Sequence, residues 1–163
     1  MKTLFAFLFL WLFGVLSSFA QKPISMSQIK DVEWKVVDNK WGRTAQVSID
    51  SISWFIEESG TKVKVLNEMY YLTNEEPVFQ PDKDEWFFDH SQVGRNAEGK
   101  YIMLYEKESE STHYYIVKDY DSNSIYLEEP AYYFISKGEK VYMTSSRSIT
   151  LKKVKILIPK IER

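Results

Sequence analysis

After residue 20 the sequence keeps one rhythm: apolar and polar residues alternate, and no stretch sustains a helical period over a useful length. Such a chain folds into half-buried strands. Val32 to Val36 is the first of them, followed by Ala45 to Ile49 and by Ile52, Trp54 and Ile56 alternating with Ser53 and Phe55. Glu58-Ser59-Gly60-Thr61 reads as a tight turn, because glycine accepts the positive φ that short hairpins require, and Lys62 to Thr73 as the returning strand. Asn74 to Asp84 carries Pro77 and Pro81 among acids and reads as a loop, with a short strand expected over Glu85 to His90 and a loop through Gly94 and Gly99. Lys100 to Lys107 and Thr112 to Tyr120 follow, joined by a charged tip at Glu108-Ser109-Glu110. A turn at Asp121-Ser122-Asn123 leads into Ser124 to Glu128. Ala131 to Ile135, a turn at Lys137-Gly138, Val141 to Ser145 and Ser148 to Lys155 end the series. Eight to ten strands with short connections predict an all-β fold, an antiparallel up-and-down barrel, with a sandwich as its competitor. Ser25, with Gln28 three residues on, has capping-box spacing and predicts one helical turn before the first strand.

The first 20 residues differ. Lys2 precedes an apolar run from Leu4 to Leu16, and Ser17-Ser18-Phe19-Ala20 supplies small residues, the three parts of a cleavable secretory signal. That run is shorter than the roughly 20 residues that cross a bilayer, and no basic stop-transfer flank follows it. The expected division is a signal over 1–20, one barrel domain over 21–155 and a basic tail over 156–163, with the product periplasmic or secreted. No membrane span is expected after cleavage. Its alternative, a retained membrane anchor, fits the length less well.

The chain has no cysteine, which removes lipid attachment, a disulfide framework and thiolate chemistry at once. Packing alone must hold it. Without Lys2, the 21 basic residues become 20 against 23 acidic ones, a net charge of −3. That is too mild for a nucleic-acid partner.

Aromatic doublets recur at Tyr70-Tyr71, Phe87-Phe88, Tyr114-Tyr115 and Tyr132-Tyr133. Adjacent strand residues point to opposite faces, so each doublet sends one ring inward and one outward. A core ring plus an amphipathic outer tyrosine is one account. The other is a ring-lined cavity, for which Trp34, Trp54, Tyr71, Phe88, Tyr101 and Tyr115 are the candidate ligand-binding residues.

Three segments resemble the small exported lipocalin-like proteins of bacteria, within the calycin group. They are Val32-Glu33-Trp34-Lys35-Val36 after a helical turn, Tyr115-Ile116-Val117-Lys118-Asp119-Tyr120-Asp121, and the closing Ile149-Thr150-Leu151-Lys152-Lys153-Val154. The family's usual glycine two residues before the tryptophan is Val32 here. The resemblance implies a barrel open at one end with an apolar interior. It also implies an arginine packed on Trp34, with Arg147 the candidate.

Catalytic signals are sparse. His90 beside Asp89 and His113 after Ser111-Thr112 are the two imidazoles, and a hydrolase-type or metal site would need them to converge with a carboxylate. The Gly-x-Ser-x-Gly, His-Glu-x-x-His and phosphate-loop patterns are absent, and no cofactor is implied. Asp82-Lys83-Asp84-Glu85 lacks the glycine of a calcium loop and reads as a solvated loop, as Glu106 to Glu110 reads as a hairpin tip. The basic run from Lys152 to Arg163, with Ile156, Leu157, Ile158 and Ile161, reads as the last strand continuing, or as a tail for an anionic surface or partner. Asp50-Ser51-Ile52 is similar to a bacterial O-glycosylation acceptor and equally an ordinary bend. The leading functional expectation is a non-enzymatic barrel holding a small hydrophobic or amphipathic ligand. The competing one is an envelope interaction or inhibitor module that meets a protein partner through loops and outer tyrosines.

Overall fold

A computed structural model describes residues 21–37, 42–131, 133–136, 139–142 and 145–157, with backbone alone for 133–136 and 139–142. The expected signal over 1–20, Tyr132, the turn at Lys137-Gly138 and the tail beyond Leu157 lie outside the described residues.

In chain order the elements are β1 (Ile24–Ser25), α1 (Met26–Ile29), β2 (Val32–Val36), β3 (Thr44–Val47), β4 (Ser51–Glu58), β5 (Thr61–Thr73), β6 (Phe79–Gln80) and β7 (Glu85–Trp86). Then come β8 (Glu98–Gly99), β9 (Tyr101–Glu106), β10 (Ser111–Tyr120), β11 (Ser124–Glu129), β12 (Tyr133–Ser136), β13 (Glu139–Tyr142) and β14 (Arg147–Ile156). Eight of the strands, β2-β3-β4-β5-β9-β10-β11-β14, form a closed antiparallel barrel in which each pairs with the next in sequence. β14 returns to β2 through Leu151↔Val36 and Lys152↔Lys35, which closes the ring. The fold is an up-and-down, lipocalin-like barrel.

Local chemistry places the turns as expected. Ser59 and Gly60 both take positive φ, 52° and 77°, matching the twist of β4 into β5. The Asp121 carboxylate accepts from the amides of Asn123 and Ser124 at 2.7 and 2.8 Å, which sets the turn between β10 and β11. Ahead of β2, the Ser25 amide donates to Gln28 Oε1 at 2.9 Å, half of the reciprocal capping arrangement that starts α1.

Three expectations need correction. The strand placed over Glu85 to His90 stops at Trp86. Asp89 then accepts from the Ser91 amide and hydroxyl, which favours the 3-10 turn at His90–Gln92 over an extended chain. The loop from Asn74 to Asp84 contains β6, whose Phe79 pairs with Trp86 of β7. And the cation over Trp34 is Lys153, its Nζ 5.8 Å from the ring centroid, whereas Arg147 is ion-paired with Glu129. β14 runs from one end of the barrel to the other, so residues six apart on it serve opposite ends.

One end is closed. Ile24, Met26 and Ile29 join the buried interior there, and Trp34 Nε1 donates to the Ile29 carbonyl at 3.0 Å. Tyr70 donates its hydroxyl to the Ser48 carbonyl at 2.8 Å, and Tyr120 to that of Pro23 at 3.0 Å. Trp34, Tyr70, Leu72, Leu104 and Val117, all nearly inaccessible, fill this half of the barrel. A second cluster sits outside the wall, where Tyr71, Met103 and Tyr114 meet Phe88 and Trp86 from the excursion between β5 and β9. Among the described residues no helix is long and apolar enough to cross a membrane.

Candidate functional site

The opposite end of the barrel carries the chemistry. Val36, Arg43, Trp54, Arg147 and Ile149, from the adjacent β14-β2-β3-β4 part of the wall, and Tyr115 from β10 line a cavity of about 160 Å³. Each is positioned by strand phase. Trp54 follows Ile52 on the inner face of β4, and Tyr115 precedes Val117 on that of β10. Arg43 enters just before β3, and its guanidinium lies 4.2 Å from the centre of the Trp54 ring.

Beneath the rings is a buried carboxylate. Glu68 occupies the inward phase of β5 between Leu66 and Tyr70 and is only 1% exposed. Its Oε2 accepts from Trp54 Nε1 at 2.5 Å, and its Oε1 lies 3.2 Å from His113 Nε2 without making a directed hydrogen bond. Burial pushes the Glu68 carboxyl above its ordinary value, against the pulls of His113, the Trp54 indole and Arg43, with Glu106 adding to the rise. Burial also raises the Tyr115 phenol, which therefore stays neutral.

An acid whose folded pKa is raised favours the fold while protonated, and this contribution is lost as pH climbs through the folded value. Glu68→Gln keeps an acceptor for Trp54 and cannot ionise. Its stability advantage over the native chain is expected to be absent below pH 4.5, the ordinary value, and to grow as pH rises above it. Urea midpoints across pH 4 to 8 measure this, and an offset independent of pH would refute it.

Among the described residues, two polar atoms at this end are buried without a hydrogen-bond partner, Glu68 Oε1 and Arg43 Nε. Folded proteins leave few such groups, and each calls for an explanation. Two larger clefts lie outside the barrel, one of about 260 Å³ under the β6–β7 hairpin and one of about 580 Å³ at the closed end beside Lys22 and Lys153. Neither holds an unsatisfied buried atom among the described residues.

The six aromatic candidates divide by face. Trp34, Trp54 and Tyr115 share the interior, but Trp34 belongs to its packed end. Tyr71, Phe88 and Tyr101 lie in the cluster outside the wall. The two imidazoles separate likewise. His113 reaches Glu68 from the inner face, while His90 stacks edge-on against Phe88 and Tyr105 outside, at 5.0 and 4.8 Å. No three His, Asp or Glu side chains come together as a metal site among the described residues.

Two of the minor motifs form turns. Asp82 to Asp84 lies in the tip of the β6–β7 hairpin, and Asp50 lies in the bend that leads into Ser51 at the start of β4, with the Ser51 hydroxyl 2.9 Å from that of Ser48. Glu68 and Arg43 are the residues that sequence reasoning missed. The first had a signal, an acid in the apolar phase of Leu66, Tyr70 and Leu72. The second had none.

No protein-family model, curated protein or solved structure matches the chain, so its function rests on the site's own geometry.

Proposed function

We propose that this is an exported, non-catalytic binding protein that takes one small amphipathic ligand at the mouth of its barrel. The signal-like character of residues 1–20 supports export. The observation that carries the reading is the cavity of about 160 Å³ walled by Trp54, Tyr115 and Ile149, with the Arg43 side chain in its lining. Apolar walls with a few placed polar groups are the ordinary make-up of a small-molecule site. The volume is well below the roughly 300 Å³ at which drug-sized pockets begin, so the ligand is short. Trp34 and Tyr70 limit how far it reaches inward.

The competing role as an interaction module has one specific observation in its favour. Val78 and Phe87 face each other on the β6–β7 hairpin, joined by a Phe87 N–H to Val78 carbonyl bond of 2.8 Å, and are 64% and 48% exposed. Exposed apolar pairs of this kind suit a protein contact.

A panel of six-carbon amphiphiles separates the two readings: hexanoate, 1-hexanol and hexylamine. If the mouth is the site, at least one of them shifts the Trp54 indole N–H resonance and leaves that of Trp34 in place. In the interaction-module reading Trp54 does not respond.

A further inference from the structure

Resting on the protein-contact reading of the β6–β7 hairpin, and independent of what the mouth binds, we infer that its outer face docks a basic, apolar segment of a partner protein. Strand phase divides the hairpin's apolar side chains. Phe79 and Trp86 are a cross-strand pair turned toward the wall, where Trp86 packs edge-on against Tyr114 of β10 with ring centres 4.9 Å apart. Val78 and Phe87 extend the ladder by one position, so they turn to the opposite face, and both are exposed. Strands with apolar residues on both faces are ordinarily covered on both. Among the described residues this hairpin is covered on one.

The surroundings decide what covers the other. Val78 and Phe87 border the cleft of about 260 Å³, whose lining also holds the buried Tyr71 and Met103. Its charged side chains are Glu75, Glu76 and Asp89, with no lysine, arginine or histidine among the described lining residues. Asp89 already accepts from Ser91 and Gln92. Glu75 and Glu76 are exposed and ion-pair with no described residue. From Glu75 to Asp89 the chain carries six acids against one basic residue, Lys83. An acidic partner would be repelled here. A wholly apolar one would strip water from Glu75 and Glu76 and return no hydrogen bond. A lysine or arginine flanked by apolar side chains satisfies both parts of the surface, its stem against the rings and its charge at the glutamates.

Three acetylated and amidated pentapeptides test this: Leu-Lys-Leu-Lys-Leu, and the same peptide with Gln or with Glu in place of Lys. Each is titrated into the native mature chain, with the Val78 methyl resonances reporting on the hairpin and the Trp54 indole N–H on the mouth. The lysine peptide is expected to shift Val78, to leave Trp54 in place, and to bind at least about fivefold more tightly than the glutamine peptide, with the glutamate peptide weakest. About 0.5 M salt should narrow that gap. Glu75→Gln combined with Glu76→Gln should bring the lysine peptide to within about twofold of the glutamine one. Phe87→Ser should weaken both by a similar factor.

Equal binding of the three peptides by the native chain overturns the inference and leaves the protein-contact reading standing. So does a preference that the double glutamine variant leaves intact. If no peptide shifts Val78, that reading falls and the inference with it. Hexylamine binding at Val78 as tightly as the lysine peptide would make the cleft a site for a free amine, and a Val78 shift that follows the protein's own concentration would assign the face to a second copy; either result overturns the inference. The peptide comparison uses the native chain and holds even where a variant does not fold.

Discussion

Replacing Trp34 by alanine is expected to lower the unfolding free energy by about 4 kcal/mol, the range for deleting a large buried ring. Trp34 is 1% exposed and packs in the interior at the closed end of the barrel. Its strand pairs with β3 on one side and β14 on the other, so the cavity left behind would lie at the seam where the barrel closes. The substitution also removes the donor to the Ile29 carbonyl, which fixes α1 over that end. A domain of this size holds roughly 5–15 kcal/mol in total, so the loss is a large share of it. Urea unfolding followed by circular dichroism measures the effect. A loss below about 1 kcal/mol would mean that the closed end contributes little to stability.

Gly99→Ala is the second large effect, and its origin is backbone rather than side chain. Gly99 pairs with Ile24 of β1 and at the same time presses against β5. A methyl group there would land on the Thr73 amide nitrogen, 2.6 Å from the Thr73 carbonyl oxygen and 2.8 Å from the Leu72 carbonyl carbon. None of these is the end of a flexible chain, so strands must move apart. Overpacking of this kind costs typically 1–3 kcal/mol, and because all three contacts are with β5 backbone about 3 kcal/mol is expected. The displacement should also free β1. The Met26 amide, which donates to Ala97 at 2.6 Å, should then exchange with solvent faster than in the native chain, while amides of the β4–β5 hairpin lose only what global destabilisation predicts. An alanine variant as stable as the native protein would contradict the close approach.

The β4–β5 hairpin, the Asp121 turn and the capped start of α1 were all readable from the sequence, because each is decided by chemistry within a few residues. Glycine at a positive φ, an Asx side chain reaching two amides and a Ser–Gln reciprocal cap need no tertiary information. The faces of β5, β9 and β10 were not readable. Inside, these strands contribute Tyr70, Leu72, Leu104 and Tyr115; outside, Tyr71, Met103 and Tyr114 lie beneath Phe88 and Trp86. Both sides are buried, so the contrast between faces that normally fixes phase is missing. This is why Tyr71, Phe88 and Tyr101 sit outside the barrel although they belonged with Trp54 and Tyr115 on pattern alone.

The candidate site was legible only in its rings. Trp54 and Tyr115 stand out in sequence, whereas Arg43 and the Glu68–His113 pair come together only when β3, β4 and β5 lie side by side and β10 follows one strand further round the barrel. Glu68 and His113 are 45 positions apart, and neither shows local evidence of a carboxylate–imidazole contact.

If the barrel is packed at one end and receptive at the other, the indole N–H resonances of Trp54 and Trp34 report on the two ends separately. Titrating the mature protein with hexanoate, 1-hexanol and hexylamine, each resonance assigned by its Trp→Phe variant, reads both at once. A saturable shift of Trp54 with at least one of the three compounds, and no shift of Trp34, is the expected result. A shift of Trp34 equal to that of Trp54 would place the ligand in the packed half, and no shift of either would leave the mouth without a small-molecule role; both results contradict a receptive mouth above a packed end.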